Sequence, residues 1–483
     1  MSDTEFFGHI IDGEEVESAS GKTFEVSNPW TQQVWAHAAE GGAEDSARGV
    51  ESSRRAFDEG PWAGMGRVER GKMIHRLGDV MQDHIDELAT LDTTNMGKPF
   101  AQAKHDVGRS IANFRFFADH QRDHCGSTFP MDSGHHTYSE FGPAGVVAAI
   151  SPWNFPLMMA SWKIAPAIAW GNTCVIKPSE DTPASVTMLG RLGVEAGLPP
   201  GVLNVVNGYG DPAGSALAAD DRVDRVTFTG SSVTGKRVMA AAAGHVAPVS
   251  LELGGKGANI VFEDADLDNA VYWAVEAIFR NSGQICLAGS RLYVAEAIYD
   301  EFMERFVAAA EALTIGDPFD SATRFSVLSS RKHFEKVSSY VSGVAGDGGT
   351  VVTGGIDDGG AWLVRPTIVT GLPVTAAAYC EEIFGPVCVV SRFDSEDEVV
   401  ALANDTRYGL NAMLFTENLS RAHRVASRLR AGIVWVNCFF IRDLRTPFGG
   451  VGDSGVGREG GDFSREFFTE PKAVVMQINR SGS

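Results

Sequence analysis

The chain has 483 residues, 44% hydrophobic and 21% charged, a length and balance that call for roughly two or three packed units. Its formal net charge of -21 disfavours nucleic acid and anionic membranes as partners. Six scattered cysteines (Cys125, Cys174, Cys286, Cys380, Cys388, Cys438) form no C-x-x-C pair, which argues against a disulfide framework and a structural zinc site. The opening MSDTEFFGHIIDGEEVES has neither the basic nor the apolar region of a secretory leader, and no apolar run approaches about 18 residues. A cytoplasmic protein without a membrane span is expected. The basic residues are mostly Arg, which suits a high-salt host and ordinary solubility alike.

In chain order, the first helix of interest is DVGRSIANFRFFAD (Asp106–Asp119). Short β-rich runs follow at Val146–Ile150, Cys174–Lys177, Val202–Val206 and Arg225–Phe228, each ending at a turn residue. Helical stretches at Ser185–Gly197 and Pro212–Ala219 separate them, so the middle third reads as βαβ units. A second set places strands at Ala258–Phe262 and Arg291–Val294 around a helix over Ala270–Asn281. Ile298–Leu313 is predicted as an amphipathic helix with Phe302, Phe306 and Ala309 on one face. Gly343–Gly360 reads as a surface hairpin or loop. Ala473–Ile478 reads as a lone strand that must find a partner elsewhere, in this chain or another subunit. The pattern is α/β throughout.

Three segments carry chemistry. Asn281-Ser282-Gly283-Gln284-Ile285-Cys286 presents a cysteine after a glycine-containing turn. Leu251-Glu252-Leu253-Gly254-Gly255-Lys256 puts a carboxylate in an apolar run, costly if buried unpaired and suited to a general base if its pKa is raised. Pro152-Trp153-Asn154-Phe155-Pro156 pins an amide between prolines, where its N–H can stabilise an oxyanion. Each also has a plain structural reading: a buried Cys, a salt-bridged Glu at a strand end, a turn Asn.

Together with GNTCVIKPSE (Gly171–Glu180), FTGSSVTG (Phe228–Gly235), EEIFGPV (Glu381–Val387) and PFGG…SGVGRE (Pro447–Glu459), these segments resemble the aldehyde dehydrogenase superfamily over essentially the whole chain. The resemblance implies a Rossmann-like cofactor domain (residues 1–122 and 143–254) and an α/β catalytic domain (255–455). It also implies a small β oligomerisation arm and tail (123–142 and 456–483), and a homodimer or homotetramer. It assigns Cys286 as nucleophile, Glu252 as base for the hydrolytic water, and Asn154 as oxyanion donor. NAD is the implied cofactor and an aldehyde the substrate, with no metal. Trp153, Lys177, Glu180, Glu382 and Phe384 would line the cofactor site. No G-x-G-x-x-G follows the relevant strand; instead Gly230 and Ser231 lead into a helix N-terminus that suits a pyrophosphate. A carboxylate at Glu180 accepts from ribose hydroxyls and repels a 2′-phosphate, which favours NAD over NADP.

The stretch IRDLRTPFGG (Ile441–Gly450) is most similar to the 2-hydroxymuconic and 2-aminomuconic semialdehyde dehydrogenases. Arg442 stands where many relatives have an uncharged residue. Arg109, read as lying on a different helix face from Phe116 and Phe117, would join it to clamp a distal carboxylate. The alternative is structural pairing, for instance of Arg442 with Asp443. Succinic semialdehyde shares the distal carboxylate. Gly452 departs from the Lys that most relatives have two residues after PFGG.

Overall fold

The computed structural model describes residues 5–478. Its first large sheet has eight strands, five of them parallel at the centre. Their order across the sheet is Val249–Glu252, Arg225–Thr229, Val146–Ile150, Thr173–Lys177, Leu203–Val205. Counted along the chain from Val146–Ile150 this is 5-4-1-2-3, the doubly wound order, whose direction reverses between the first and fourth strands. The apolar runs VVAAI and TCVIK are wholly buried because helices cover both faces. Antiparallel edge strands close the sheet, Gly455–Val456 on one side and His9–Ile11 with Glu14–Val16 on the other.

The second large sheet has seven strands, six of them parallel. It contains Ala258–Val261 and Arg291–Ala295, one residue from their predicted ends. The intervening helix starts earlier than expected, at Leu267, because Asp266 caps it by accepting from the N–H groups of Asp268 and Asn269. Pro212 lies in a turn ahead of its helix, which begins only at Ser215. In Tyr299–Glu311 the buried face is Phe302, Met303, Phe306 and Ala310; Ala309 sits one position off it, half-buried. Gly343–Gly360 contains a strand, Thr350–Ile356, paired antiparallel with Val364–Thr370 at the sheet edge.

A separate three-stranded sheet forms the arm. His135–Pro143 lies at its centre, with Thr128–Phe129 on one side and Thr469–Gln477 on the other. The tail strand therefore finds a partner within its own chain, in register from Thr469 opposite Pro143 to Gln477 opposite His135. Just before it, the helix Gly461–Phe468 packs Phe467 and Phe468 into the core beneath the first sheet. Among the described residues no helix is long and apolar enough to cross a membrane.

Candidate active site

The carboxyl ends of the parallel strands converge on one cleft, as a doubly wound sheet requires. Pro152–Asn154 follow the first strand, Gly230 and Ser231 the fourth, and Glu252 ends the fifth. These residues, with Cys286, Glu382 and Phe384 from the other half, line a cavity of about 450 Å³. The structure thus brings together all three candidate catalytic residues and five of the seven candidate cofactor residues. Lys177 and Glu180 lie outside it, at the end of the neighbouring strand. Lys177 is buried, donates to the carbonyls of Pro178 and Gly208, and stands 3.6 Å from Glu180.

Cys286 is held by a stiff turn. Asn281 and Ser282 both have positive φ (51° and 53°), a left-handed conformation that side chains other than glycine adopt at a cost. Gly283 follows at φ 72°, where a Cβ would stand 2.3 Å from the Gly385 carbonyl carbon. Hydrogen bonds hold the turn in this conformation. Asn154 Nδ2 donates to the Gln284 carbonyl (2.9 Å), and Asn281 Nδ2 donates to the Asn154 carbonyl (3.0 Å). The second N–H of the Asn154 amide is left for another acceptor.

The electrostatics separate the groups. Burial, then the Glu382 and Glu252 charges, push the Cys286 thiol up to about 12; the backbone N–H groups of Cys286 and Leu287 act the other way. Glu252 is raised well above the usual carboxyl range, by burial first and by neighbouring Glu459 second. Both its oxygens are shielded and have no hydrogen-bond partner, so it is not the salt-bridged Glu of the structural alternative. It fits only because Gly449 has no side chain: a Cβ there would be 2.6 Å from Glu252 Oε1. Glu382 accepts from the Gly255 N–H (2.9 Å), and burial raises its pKa too.

The aldehyde dehydrogenase family profile matches residues 16–474. The chain belongs to the aldehyde dehydrogenase family. It is 48% identical to the 2-hydroxymuconic semialdehyde dehydrogenase of Pseudomonas sp. (strain CF600), over 97% of this chain and 99% of that one. It is 45% identical to the mitochondrial aldehyde dehydrogenase family 2 member B4 of Arabidopsis thaliana, over 98% of this chain and 88% of that one. Among solved structures, the NAD+ complex of an aldehyde dehydrogenase from Bacillus cereus superposes with TM-score 0.96 at 40% identity, covering 98% and 97% of the two chains. The architecture is the aldehyde dehydrogenase fold.

Sequence reasoning missed several residues of this aldehyde dehydrogenase's cleft. Lys163 and Glu459 form a fully buried pair (3.1 Å) beside Glu252, with Lys163 also donating to Thr227. A lysine inside the apolar helix MMASWKIAPAIA was the available signal, since a charge there must be paired. His333, Lys332 and Lys336 line the cavity from the helix Arg331–Gly343. Burial lowers His333 to about 4, so it is neutral near pH 7 and donates from Nε2 to the Phe384 carbonyl at 2.7 Å. Trp153 packs edge-on to Phe384, with ring centroids 5.3 Å apart.

Arg442 lies within electrostatic reach of Arg109, Glu252 and Cys286. The Arg442 guanidinium stands 3.7 Å above the Trp162 ring and 4.1 Å from that of Phe448, and its Nε and Nη2 are shielded without a partner. Asp443 pairs with Arg445 instead (2.6 Å). Burial pulls Arg442 down to about 9; Glu459 opposes that, Arg109 adds to it, and Glu252 and Cys286 oppose it again. Arg109 lies over Phe440 at 4.5 Å, and Arg280, a third cation unforeseen in the sequence, lies 5.8 Å from the same ring. Arg109 and Phe116 do share a helix face, contrary to the sequence reading, because at about 3.6 residues per turn they lie nearly two whole turns apart.

Proposed function

We propose that this aldehyde dehydrogenase oxidises a carboxylated semialdehyde, of the 2-hydroxymuconic type, to the corresponding diacid with NAD as cofactor. The Cys286 thiol loses its proton to solvent water, and the sulfur bonds to the aldehyde carbon as the carbonyl π pair moves onto oxygen. The free Asn154 N–H and the Cys286 backbone N–H hold the oxyanion. When bound, NAD accepts the hydride that leaves the aldehyde carbon. Cys286 is left carrying the acyl group as a thioester. Glu252 takes a proton from water, the water oxygen attacks the acyl carbon, the C–S bond breaks, and the acid leaves.

The cleft fits NAD on its own residues. The helix Ser232–Ala243, capped by Ser231, starts at the cavity wall beside Gly230, and a helix N-terminus favours a pyrophosphate. Thr229 Oγ1 lines the same wall, shielded and unpartnered. Glu382 suits ribose hydroxyls, and Trp153 and Phe384 line the same cavity. Lys177 and Glu180 suit the adenosine ribose, and the Glu180 carboxylate disfavours a 2′-phosphate. A Cβ at Gly254 would be 2.1 Å from Glu382 Oε2. Gly254→Ala is therefore expected to turn Glu382 out of the cleft and raise the KM for NAD by about tenfold, with Tm little changed; the loss is that of one charge-assisted contact.

The observation that carries the substrate assignment is the shielded, unpartnered Arg442 guanidinium beside Cys286. A buried guanidinium whose N–H groups have no acceptor is costly, and a substrate carboxylate removes that cost. The relative from Pseudomonas supports the same class, whereas the Arabidopsis relative is almost as similar and points to no particular acid. In assays of NADH formation, 2-hydroxymuconic semialdehyde is expected to outperform succinic semialdehyde. Arg442→Ala should lower kcat/KM for the former by about 10- to 100-fold, mainly through KM. Equal turnover of succinic semialdehyde, or no effect of Arg442→Ala, would leave only the general aldehyde reaction.

The arm is the proposed contact in a homodimer or homotetramer. Thr469–Gln477 is an edge strand with exposed Val475 and Met476, a surface that pairs readily with another chain.

A further inference from the structure

Away from the cleft, three side chains converge that the proposed reaction does not use. His120 ends the helix Phe100–His120, His124 follows it by one turn, and Asp462 opens the helix Gly461–Phe468. The Nε2 atoms of His120 and His124 are 3.0 Å apart. They lie 3.2 and 3.0 Å from the same oxygen, Asp462 Oδ1. A tetrahedral zinc ion with ligand bonds of about 2.0–2.1 Å has its ligands about 3.3 Å from one another. The three atoms are therefore spaced close to one face of a zinc tetrahedron.

Hydrogen bonding alone serves this triangle poorly. If both rings donate from Nε2 to Asp462, two N–H groups oppose each other at 3.0 Å. If only one does, its single N–H is shared between Asp462 and the other ring's Nε2, whose lone pair also faces the carboxylate oxygen. A cation accepted by all three lone pairs removes the conflict. We propose that His120, His124 and Asp462 bind a transition-metal dication, zinc in preference, as a structural site distinct from the catalytic cleft.

The surroundings support this. The histidine side chains are 17% and 14% exposed, against 59% for Asp462, so an ion enters from solvent on the carboxylate side and keeps a water there. Phe116 stacks on His120 (5.0 Å), and Trp170 packs against His124 (5.2 Å), which fixes both rings. The site joins the two roots of the arm. His124 stands just before the strand Thr128–Phe129, and the helix of Asp462 runs directly into Thr469–Gln477. One contact opposes binding. Arg465 Nη1 lies 3.2 Å from His124 Nδ1, and a guanidinium only donates. Ligation through His124 Nε2 places a proton on Nδ1, so Arg465 must turn aside.

The test uses full-length protein carrying Cys286→Ser, to remove the active-site thiol, stripped with chelator and titrated with Co2+ and then Zn2+. One Co2+ per chain is expected, with a visible d–d band of low-symmetry geometry that Zn2+ displaces. His120→Gln, His124→Gln and Asp462→Asn should each weaken binding by about tenfold or more. Each should also abolish the rise in Tm that Zn2+ gives the parent. In the Cys286-containing protein the same three variants should keep NADH formation. Arg465→Ala should tighten binding. No binding, or equal binding and equal stabilisation in the three ligand variants, would overturn the proposal.

Discussion

Cys286→Ala is expected to lower NADH formation by about 10⁴-fold or more while leaving the fold intact, because in the proposed mechanism Cys286 forms the only covalent bond to substrate. The side chain is half-buried against a turn braced by Asn154, Asn281 and Gln284, none of which needs the sulfur. Tm should therefore move little. The unmodified thiol offers a second measurement. Burial, Glu382 and Glu252 hold it up to about 12, so the free enzyme contains little thiolate near neutrality. Alkylation of Cys286 by iodoacetamide, followed by mass spectrometry, should accelerate steadily as pH rises from about 6 to about 10, a range that lies wholly below that value. Glu252→Gln removes one of the opposing charges and should speed alkylation at fixed pH. A slower reaction would show instead that Glu252 acts as base for the thiol.

Glu252→Gln is expected to separate the two halves of the reaction. The amide keeps the shape and cannot take a proton. About one equivalent of NADH per site should form rapidly, followed by turnover slower by about 10²- to 10⁴-fold, with the acyl group trapped on Cys286. In wild type the slow step should quicken with pH as the raised carboxyl loses its proton, and that dependence should vanish in the variant. Retained turnover without a burst would move the role of base to Glu382, the other buried carboxylate acting on Cys286. Stability should move the opposite way. Because the folded-state pKa of Glu252 is raised, its contribution is intact below the ordinary carboxyl value and is lost as pH rises through the folded value. The variant should therefore melt above wild type at alkaline pH, with the gap closing towards about pH 4. The buried Glu252 carboxylate is thus held at a cost to the fold.

Much of the parallel framework was legible. VVAAI, CVIK and RVTF are short, β-rich and bounded by turns, and all lie in buried strands, the latter two one residue longer than expected. Helix ends were less legible, because a cap such as Asp266 extends a helix beyond its apolar period. The face of Arg109 was misread, although the arithmetic of the α-helix was available. Glu252 stood out as a charge among leucines. Lys163, in an equally apolar helix, carried the same signal and was passed over.

What the sequence determined by itself is local: strand and helix type from periodicity, the glycines that permit close approach, and the residue types that chemistry demands at Cys286, Glu252 and Asn154. Only tertiary structure decided which distant groups share a field. The Lys163–Glu459 pair, the Arg280 cation and the His120–His124–Asp462 triangle each join segments far apart in the chain. Chain folding sets such distances, and Coulomb and desolvation energies depend on distance and burial rather than on order in sequence. That is why Cys286 and Glu252 could be singled out as candidates from the sequence, whereas the Glu459 charge beside Glu252 and the unpartnered state of Arg442 could not.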